Sequence, residues 1–227
     1  MKKLVVLTGA GVSQESGIKT FRDSDGLWEN YPVEDVASIQ GWHKNKELML
    51  RFYNERRAQL ATVKPNRAHE IIAELERHFE VTVVTQNVDN LHERAGSTNI
   101  IHLHGELTKV RGVDDESKVY DIGYREIKLG DKSPSGAQLR PHIVWFGEAV
   151  PMMEQAAEAV RECDILLVVG TSLAVYPAAG LVNYITRGNP IYLIDPKPIR
   201  VNYSKYYQIE DVASSGMEKF RDIVLAL

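Results

Sequence analysis

Short β-branched apolar runs alternate along this chain with longer stretches in which apolar residues return every three or four positions. The runs Leu4–Leu7, Val81–Thr85, Ile143–Phe146, Ile165–Val169 and Ile191–Ile194 are apolar at successive positions. That is the pattern of central strands covered on both faces. Between them Lys46–Ala61, Arg67–Phe79, Met153–Glu162 and Ala178–Arg187 carry helical spacing, and Met217–Leu227 closes the chain the same way. Such alternation predicts an α/β fold with a doubly wound parallel sheet. From 107 to 140 the pattern breaks into a polar, charged stretch with Gly and Ser. Extended candidates there are Lys109–Val113, Lys118–Ile122 and Glu126–Leu129, so we read a small β-rich insertion module inside a single domain spanning 1–227.

Composition narrows the function classes. The 27 Lys+Arg against 31 Asp+Glu give a net charge of −4, which supplies no general attraction to nucleic acid or to an anionic membrane. Cys163 is the single cysteine. An intrachain disulfide framework and a zinc site of several thiolates are therefore excluded, and a reducing, cytoplasmic setting is expected. The opening Met1-Lys2-Lys3 before Leu4–Leu7 mimics a secretion signal, but the apolar run is short and passes straight into Thr8-Gly9-Ala10-Gly11. No apolar run approaches the roughly 20 residues of a membrane span.

The strand Leu4–Leu7 feeds the glycine turn Thr8-Gly9-Ala10-Gly11-Val12-Ser13. In a Rossmann-like sheet such a turn lets backbone N–H groups and a helix N-terminus face a pyrophosphate, although a purely structural turn reads the same. The dehydrogenase fingerprint is incomplete: position 14 is Gln, and the next clear strand starts only near Val81. Hydride transfer loses its main support.

Further blocks follow in order: Glu15-Ser16-Gly17-Ile18-Lys19-Thr20-Phe21-Arg22-Asp23, Gly26-Leu27-Trp28, then Thr85-Gln86-Asn87-Val88-Asp89-Asn90-Leu91-His92 with Ala95-Gly96. Later come His102-Leu103-His104-Gly105-Glu106, Arg140-Pro141-His142-Ile143-Val144-Trp145-Phe146-Gly147-Glu148 and Gly170-Thr171-Ser172. In this order, over nearly the whole chain, the blocks resemble the sirtuin family of NAD-dependent protein-lysine deacylases. The resemblance implies NAD as cofactor and acylated lysines of proteins or peptides as substrates. It also implies attack of the acyl oxygen on C1′ of the nicotinamide ribose, yielding free lysine, nicotinamide and O-acyl-ADP-ribose.

Roles follow from that resemblance. A base must accept a ribose hydroxyl proton near neutral pH, which imidazole suits. His104, in the family's His-Gly position, is assigned that role, with Asn87 beside it in the catalytic set, while the nearby His92 and His102 are read as structural. Gln86, Asn87 and Asp89 end a strand, where open sheets place ligands. They would form the nicotinamide pocket, or cap the helix before Leu91, or both. Gly9, Ala10, Gly11 and Ser13 would hold the cofactor at the turn. Ala10, Ile18, Phe21, Arg22 and Asp23 would form a loop over the nicotinamide ribose, its aromatic ring excluding water. Gly170, Thr171 and Ser172 would meet phosphate and ribose; Asp195 would take ribose hydroxyls and favour NAD over NADP; Ala213 would border the adenine.

Tyr53 and Arg56 share a helical face at i, i+3. In the branch of the family that removes succinyl, malonyl and glutaryl groups, a Tyr-x-x-Arg pair reads the distal carboxylate, a task suited to a guanidinium fork and a phenol in an apolar channel. The resemblance makes Val144, Trp145 and Phe146 the channel wall and the backbone partners of the acyl-lysine peptide. The family's four zinc cysteines are missing; Gly112 stands about where the first is expected, and the insertion has no His. No metal is expected. Asp114, Asp115 and Glu116 read as a solvated turn, and the module would be held by strand pairing and by Val113, Val119, Tyr120 and Ile122. Mono-ADP-ribosyl transfer and a non-catalytic NAD or ADP-ribose sensing module are the competing readings.

Overall fold

The computed structural model of the chain describes residues 1–19, 27–28 and 31–226. Its strands are β1 Lys3–Thr8, β2 Leu27–Trp28, β3 Tyr31–Pro32, β4 Glu80–Thr85, β5 Ile100–His102, β6 Gly105–Gly112, β7 Asp115–Asp121, β8 Leu139–Ile143, β9 Ile165–Val169, β10 Ile191–Ile194 and β11 Tyr206–Ile209. Its helices are α1 Gly11–Gln14, α2 Val33–Val36, α3 Ile39–Lys44, α4 Lys46–Thr62, α5 Arg67–Glu74, α6 Leu91–Ala95, α7 Met153–Glu162 and α8 Ala213–Leu225. Six strands form one sheet in the order β11-β10-β9-β1-β4-β5, with every neighbouring pair parallel. Successive side chains leave this sheet on opposite faces. Leu4, Val6, Val83 and Leu167 pack with Ile71, Ile72, Met217 and Phe220 of α5 and α8. Val5, Leu7, Val84 and Leu166 pack with Ala156 and Val160 of α7. The doubly wound α/β expectation is met.

The chain runs from β1 to β4 and β5 on one side, then returns across β1 to β9, β10 and β11 on the other. Winding reverses between β1 and β9, and open parallel sheets leave a crevice at the carboxyl ends of such a switch point. A second sheet, antiparallel in the order β7-β6-β8, grows out of β5 through His104. It packs on α3 and α4 through Trp42, Phe52, Leu107, Val110 and Trp145.

Several elements differ from their sequence reading. The run Ile143–Phe146 is not a central strand: pairing covers Leu139–Ile143 in the small sheet, because Val144, Trp145 and Phe146 leave the ladder to line the crevice. Glu126–Leu129 is not a strand; Ile127 is held by Asn54, whose amide donates to its carbonyl at 2.9 Å while its own N–H donates to Asn54 Oδ1 at 2.9 Å. Ala178–Tyr184 is a 3-10 helix, and α5 gives way to a 3-10 turn at Leu75–Arg77.

The module is also held differently from expectation. Val113 and Val119 are 47% and 37% exposed, so they contribute little packing, whereas Tyr120 and Ile122 do pack against the apolar cluster of Trp42, Phe52 and Trp145. A Cβ on Gly112 would lie 2.5 Å from Asp114 Oδ1 and 3.0 Å from Ser133 Oγ. The position expected for a first cysteine is thus filled by two neighbouring side chains. Ser133 closes a tight turn, its N–H donating to Ala137 O at 2.8 Å and its carbonyl accepting from Gly136 N at 2.9 Å. Glu116 pairs with Arg111 at 3.3 Å and Asp115 with Lys118 at 3.1 Å.

Candidate active site

The crevice at the switch point is a cavity of about 860 Å³ that collects residues from both sheets and from α4. Its wall includes Gly9, Ala10, Gly11, Ser13 and Ile18 after β1, Gln86, Asn87 and Asp89 after β4, and His104 between the two sheets. Tyr53 and Arg56 of α4, Val144, Trp145 and Phe146, then Gly170, Thr171, Ser172, Asp195 and Ala213 complete the set. Every described site residue named from the sequence lines this one cavity. Phe21, Arg22 and Asp23 lie outside the described residues.

At the glycine turn the two strand ends touch. A Cβ on Gly11 would stand 2.7 Å from Gly170 Cα, and Gly170 itself has φ +64°, with a Cβ there 2.4 Å from Val12 N. Only glycines permit this approach. The turn is tighter than expected for an open phosphate cradle: the N–H groups of Gly9, Gly11, Val12 and Ser13 donate to Val169 O, Gly170 O, Gly9 O and Ala10 O at 3.0, 2.9, 3.0 and 3.1 Å. The following helix α1 is one turn long. The amides of Ala10, Thr171 and Ser172 have no acceptor among the described residues and sit on the cavity wall. These donors, a glycine-lined approach and the buried Asp195 carboxylate fit a pyrophosphate and a ribose. Gln86 ties the end of β4 to that of β9, its Nε2 donating to Thr171 Oγ1 at 3.2 Å.

Ser13, Asn87 and Asp89 form a buried knot. Asn87 Nδ2 donates to Gly9 O and to Ser13 Oγ, both at 3.1 Å, and Ser13 Oγ donates to Asp89 Oδ2 at 2.9 Å. Asp89 Oδ1 accepts from Leu91 N at 3.1 Å, so the capping role and the pocket position coexist. Burial pushes the Asp89 carboxyl upward, opposed by its hydrogen bonds from Leu91 and Ser13.

His104 Nδ1 lies 2.9 Å from Gln86 O. A carbonyl only accepts, so Nδ1 carries the proton and Nε2 keeps a lone pair. Burial lowers the His104 pKa below the ordinary 6.5, partly offset by that hydrogen bond. The neighbouring imidazoles do other work. His92 is buried with Nε2 3.1 Å from Thr8 Oγ1, and His102 Nε2 is 2.5 Å from Glu93 Oε1. For His102, burial is outweighed by Glu93 and Glu106, and its pKa is raised. Glu93, His102 and Glu106 lie close enough to share an ion, but Lys109 already holds Glu106 at 2.6 Å.

On the α4 side Tyr53 is fully buried, and its hydroxyl accepts from Trp145 Nε1 at 2.9 Å. Burial raises the phenol pKa, keeping it protonated. Arg56 lies with its guanidinium 5.1 Å from the Phe52 ring centre and its side chain 16% exposed. The helix is fixed by Arg57, whose Nε donates to Leu107 O at 2.7 Å. The backbone of 144–146 is less available to a peptide than expected. The N–H groups of Val144, Trp145 and Phe146 donate to His104 O, Glu148 Oε2 and Ala37 O at 2.9, 2.8 and 2.8 Å. Arg140 and Glu148, whose part the sequence pattern does not disclose, grip Trp145. Arg140 Nη1 and Nη2 donate to the two Glu148 oxygens at 2.6 and 3.0 Å, and its guanidinium lies 3.4 Å from the Trp145 ring centre.

Comparison with known proteins places this geometry. The Sir2 family model matches residues 9–177. A protein of Bacteroides thetaiotaomicron named NAD-dependent protein deacylase is 55% identical over 231 residues, covering 99% of both chains. One of Helicobacter pylori with the same name is 55% identical over 224 residues, covering 99% of this chain and 96% of its own. The structure of a Sir2 homologue in complex with NAD superposes with a TM-score of 0.89 at 40% identity, covering 99% of this chain and 90% of that one. From the matched residues and this overlap, the chain belongs to the Sir2 family of sirtuins.

Proposed function

We propose that this protein is an NAD-dependent protein-lysine deacylase that prefers acidic acyl groups such as succinyl and malonyl. The observation that carries the catalytic reading is the His104 Nδ1 to Gln86 O bond of 2.9 Å, which leaves Nε2 as an unprotonated acceptor in a cavity lined by the glycine turn. Relatives named NAD-dependent protein deacylase cover essentially the whole chain, which supports the deacylase part of this reading. Bound NAD supplies a ribose carbon carrying a nicotinamide leaving group, flanked by ribose hydroxyls. His104 Nε2 accepts a proton from such a hydroxyl, and the Gln86 carbonyl steadies the imidazolium that forms. Ser13 and Asp89 hold the Asn87 side chain at the carboxamide end, and Ala10, Thr171 and Ser172 offer amide donors to the phosphates. Asp195 takes the adenosine ribose and Ala213 borders the base. The acyl chain runs between Val144, Trp145 and Phe146 toward Tyr53 and Arg56, where a distal carboxylate meets one guanidinium and one phenol.

Mass analysis of the products from NAD and a succinyl-lysine peptide tests this reading. O-succinyl-ADP-ribose with free lysine is expected. Unchanged NAD would favour the sensing module, and protein-linked ADP-ribose would favour ADP-ribosyl transfer.

A further inference from the structure

The Tyr53 hydroxyl accepts the Trp145 indole N–H at 2.9 Å. A phenolic hydrogen prefers the ring plane, on one side or the other of the oxygen. A donor arriving on one side leaves the hydrogen the other. That hydrogen finds no acceptor among the described residues, and Tyr53 lines the cavity beside Arg56. The phenol therefore keeps one donor unpaired among the described residues, in a residue of the cavity wall. Trp145 can impose this because it is itself immobilised. It is buried in contact with the Trp42 ring, 5.3 Å away, and the Arg140 guanidinium, 3.4 Å from its ring centre. Glu148 takes its backbone N–H at 2.8 Å while paired bidentately with Arg140.

We propose that Trp145 is a positioning residue for acyl-group selectivity: its indole N–H fixes the Tyr53 hydroxyl as a proton donor toward a carboxylate-bearing acyl group. An acceptor-only carboxylate is rewarded by this polarity, whereas an acetyl group makes no use of it. The inference rests on Tyr53 and Arg56 forming the carboxylate clamp.

The test compares kcat/KM for succinyl-lysine and acetyl-lysine peptides in wild type, Trp145→Phe, Tyr53→Phe and the double variant. Trp145→Phe keeps an aromatic wall and deletes the N–H. It should lower the succinyl-to-acetyl ratio roughly three- to tenfold, mainly through KM for the succinyl peptide and with KM for NAD unmoved. In the Tyr53→Phe background the same change should move the ratio no further, because the coupled partner is gone. An unchanged ratio in Trp145→Phe, or an equal fall in both backgrounds, would overturn the inference while leaving the clamp intact. A wild type without succinyl preference would overturn clamp and inference together. Should Trp145→Phe fail to fold, the benzothiophene isostere of tryptophan at 145 removes the N–H alone and carries the same expectation.

Discussion

A base that works at neutral pH has to be unprotonated there and has to hold one nitrogen toward its proton donor. Burial lowers the His104 pKa below 6.5, and the Gln86 carbonyl fixes Nδ1 as the protonated nitrogen. The sign for activity follows: protonation at low pH removes the base, so kcat/KM should rise with pH through an apparent pKa below 6.5 and be flat above neutrality. His104→Ala should remove that acid limb and reduce turnover by about 10² to 10⁴, while calorimetry finds NAD still bound. Near wild-type turnover in this variant would remove His104 from the base role. The motif residues were legible from sequence because each sits at a strand end inside a short signature. What linear order could not reveal is pairing at a distance: Trp145 and Tyr53, 92 positions apart, share one hydrogen bond.

At the scale of elements, α4 carries the proposed acyl clamp and is locked by polar contacts that spacing alone does not disclose. Asn54 Oδ1 accepts from Arg57 Nη1 at 2.7 Å and from Ile127 N at 2.9 Å, and its Nδ2 donates to Ile127 O at 2.9 Å. Burial lowers the Arg57 pKa to about 10, so this guanidinium depends on the few acceptors it has. Asn54→Ala should cost about 1 to 3 kcal/mol by orphaning these groups. Tm should fall by roughly 2 to 4 °C per kcal/mol, and succinyl peptide affinity should fall more than NAD affinity. Differential scanning calorimetry beside peptide titration checks both. Among elements, the apolar strands β1, β4, β9 and β10 could be read directly, being covered on both faces. β5 and β11 escaped because they are the outer strands of the sheet, short and only partly buried. α8 begins earlier than its apolar spacing suggested because Gly216, lacking a side chain, lets it press on Ile194.

For the whole molecule, the small antiparallel sheet β7-β6-β8 falls where the pattern of the sequence changes, while its third strand was misplaced because Leu139–Ile143 reads as the lead-in to an apolar run. Ion pairs and tight turns hold the module: Arg111 with Glu116, Arg140 with Glu148, and Ser133 with Ala137. We expect a chelator such as EDTA to leave both Tm and activity unchanged, and elemental analysis to find less than one zinc per chain. Loss of structure on chelation would show a metal site that the Cys-free and His-free insertion does not suggest. No helix among the described residues is long and apolar enough to cross a membrane.

The acyl preference is the sharpest consequence of joining these scales, since it requires the sirtuin cavity, the α4 placement and the Arg56 charge together. It is tested most directly by the ratio of desuccinylation to deacetylation in wild type and in Arg56→Met. A desolvated carboxylate that loses its charged partner should lose about 2 to 3 kcal/mol, on the order of 10² in rate. The acetyl group carries no carboxylate, and its removal should hold or improve. A wild-type ratio above one that inverts in Arg56→Met is the expected result; a ratio that Arg56→Met leaves unchanged would contradict the acidic-acyl reading and leave Arg56 without a part in acyl selection.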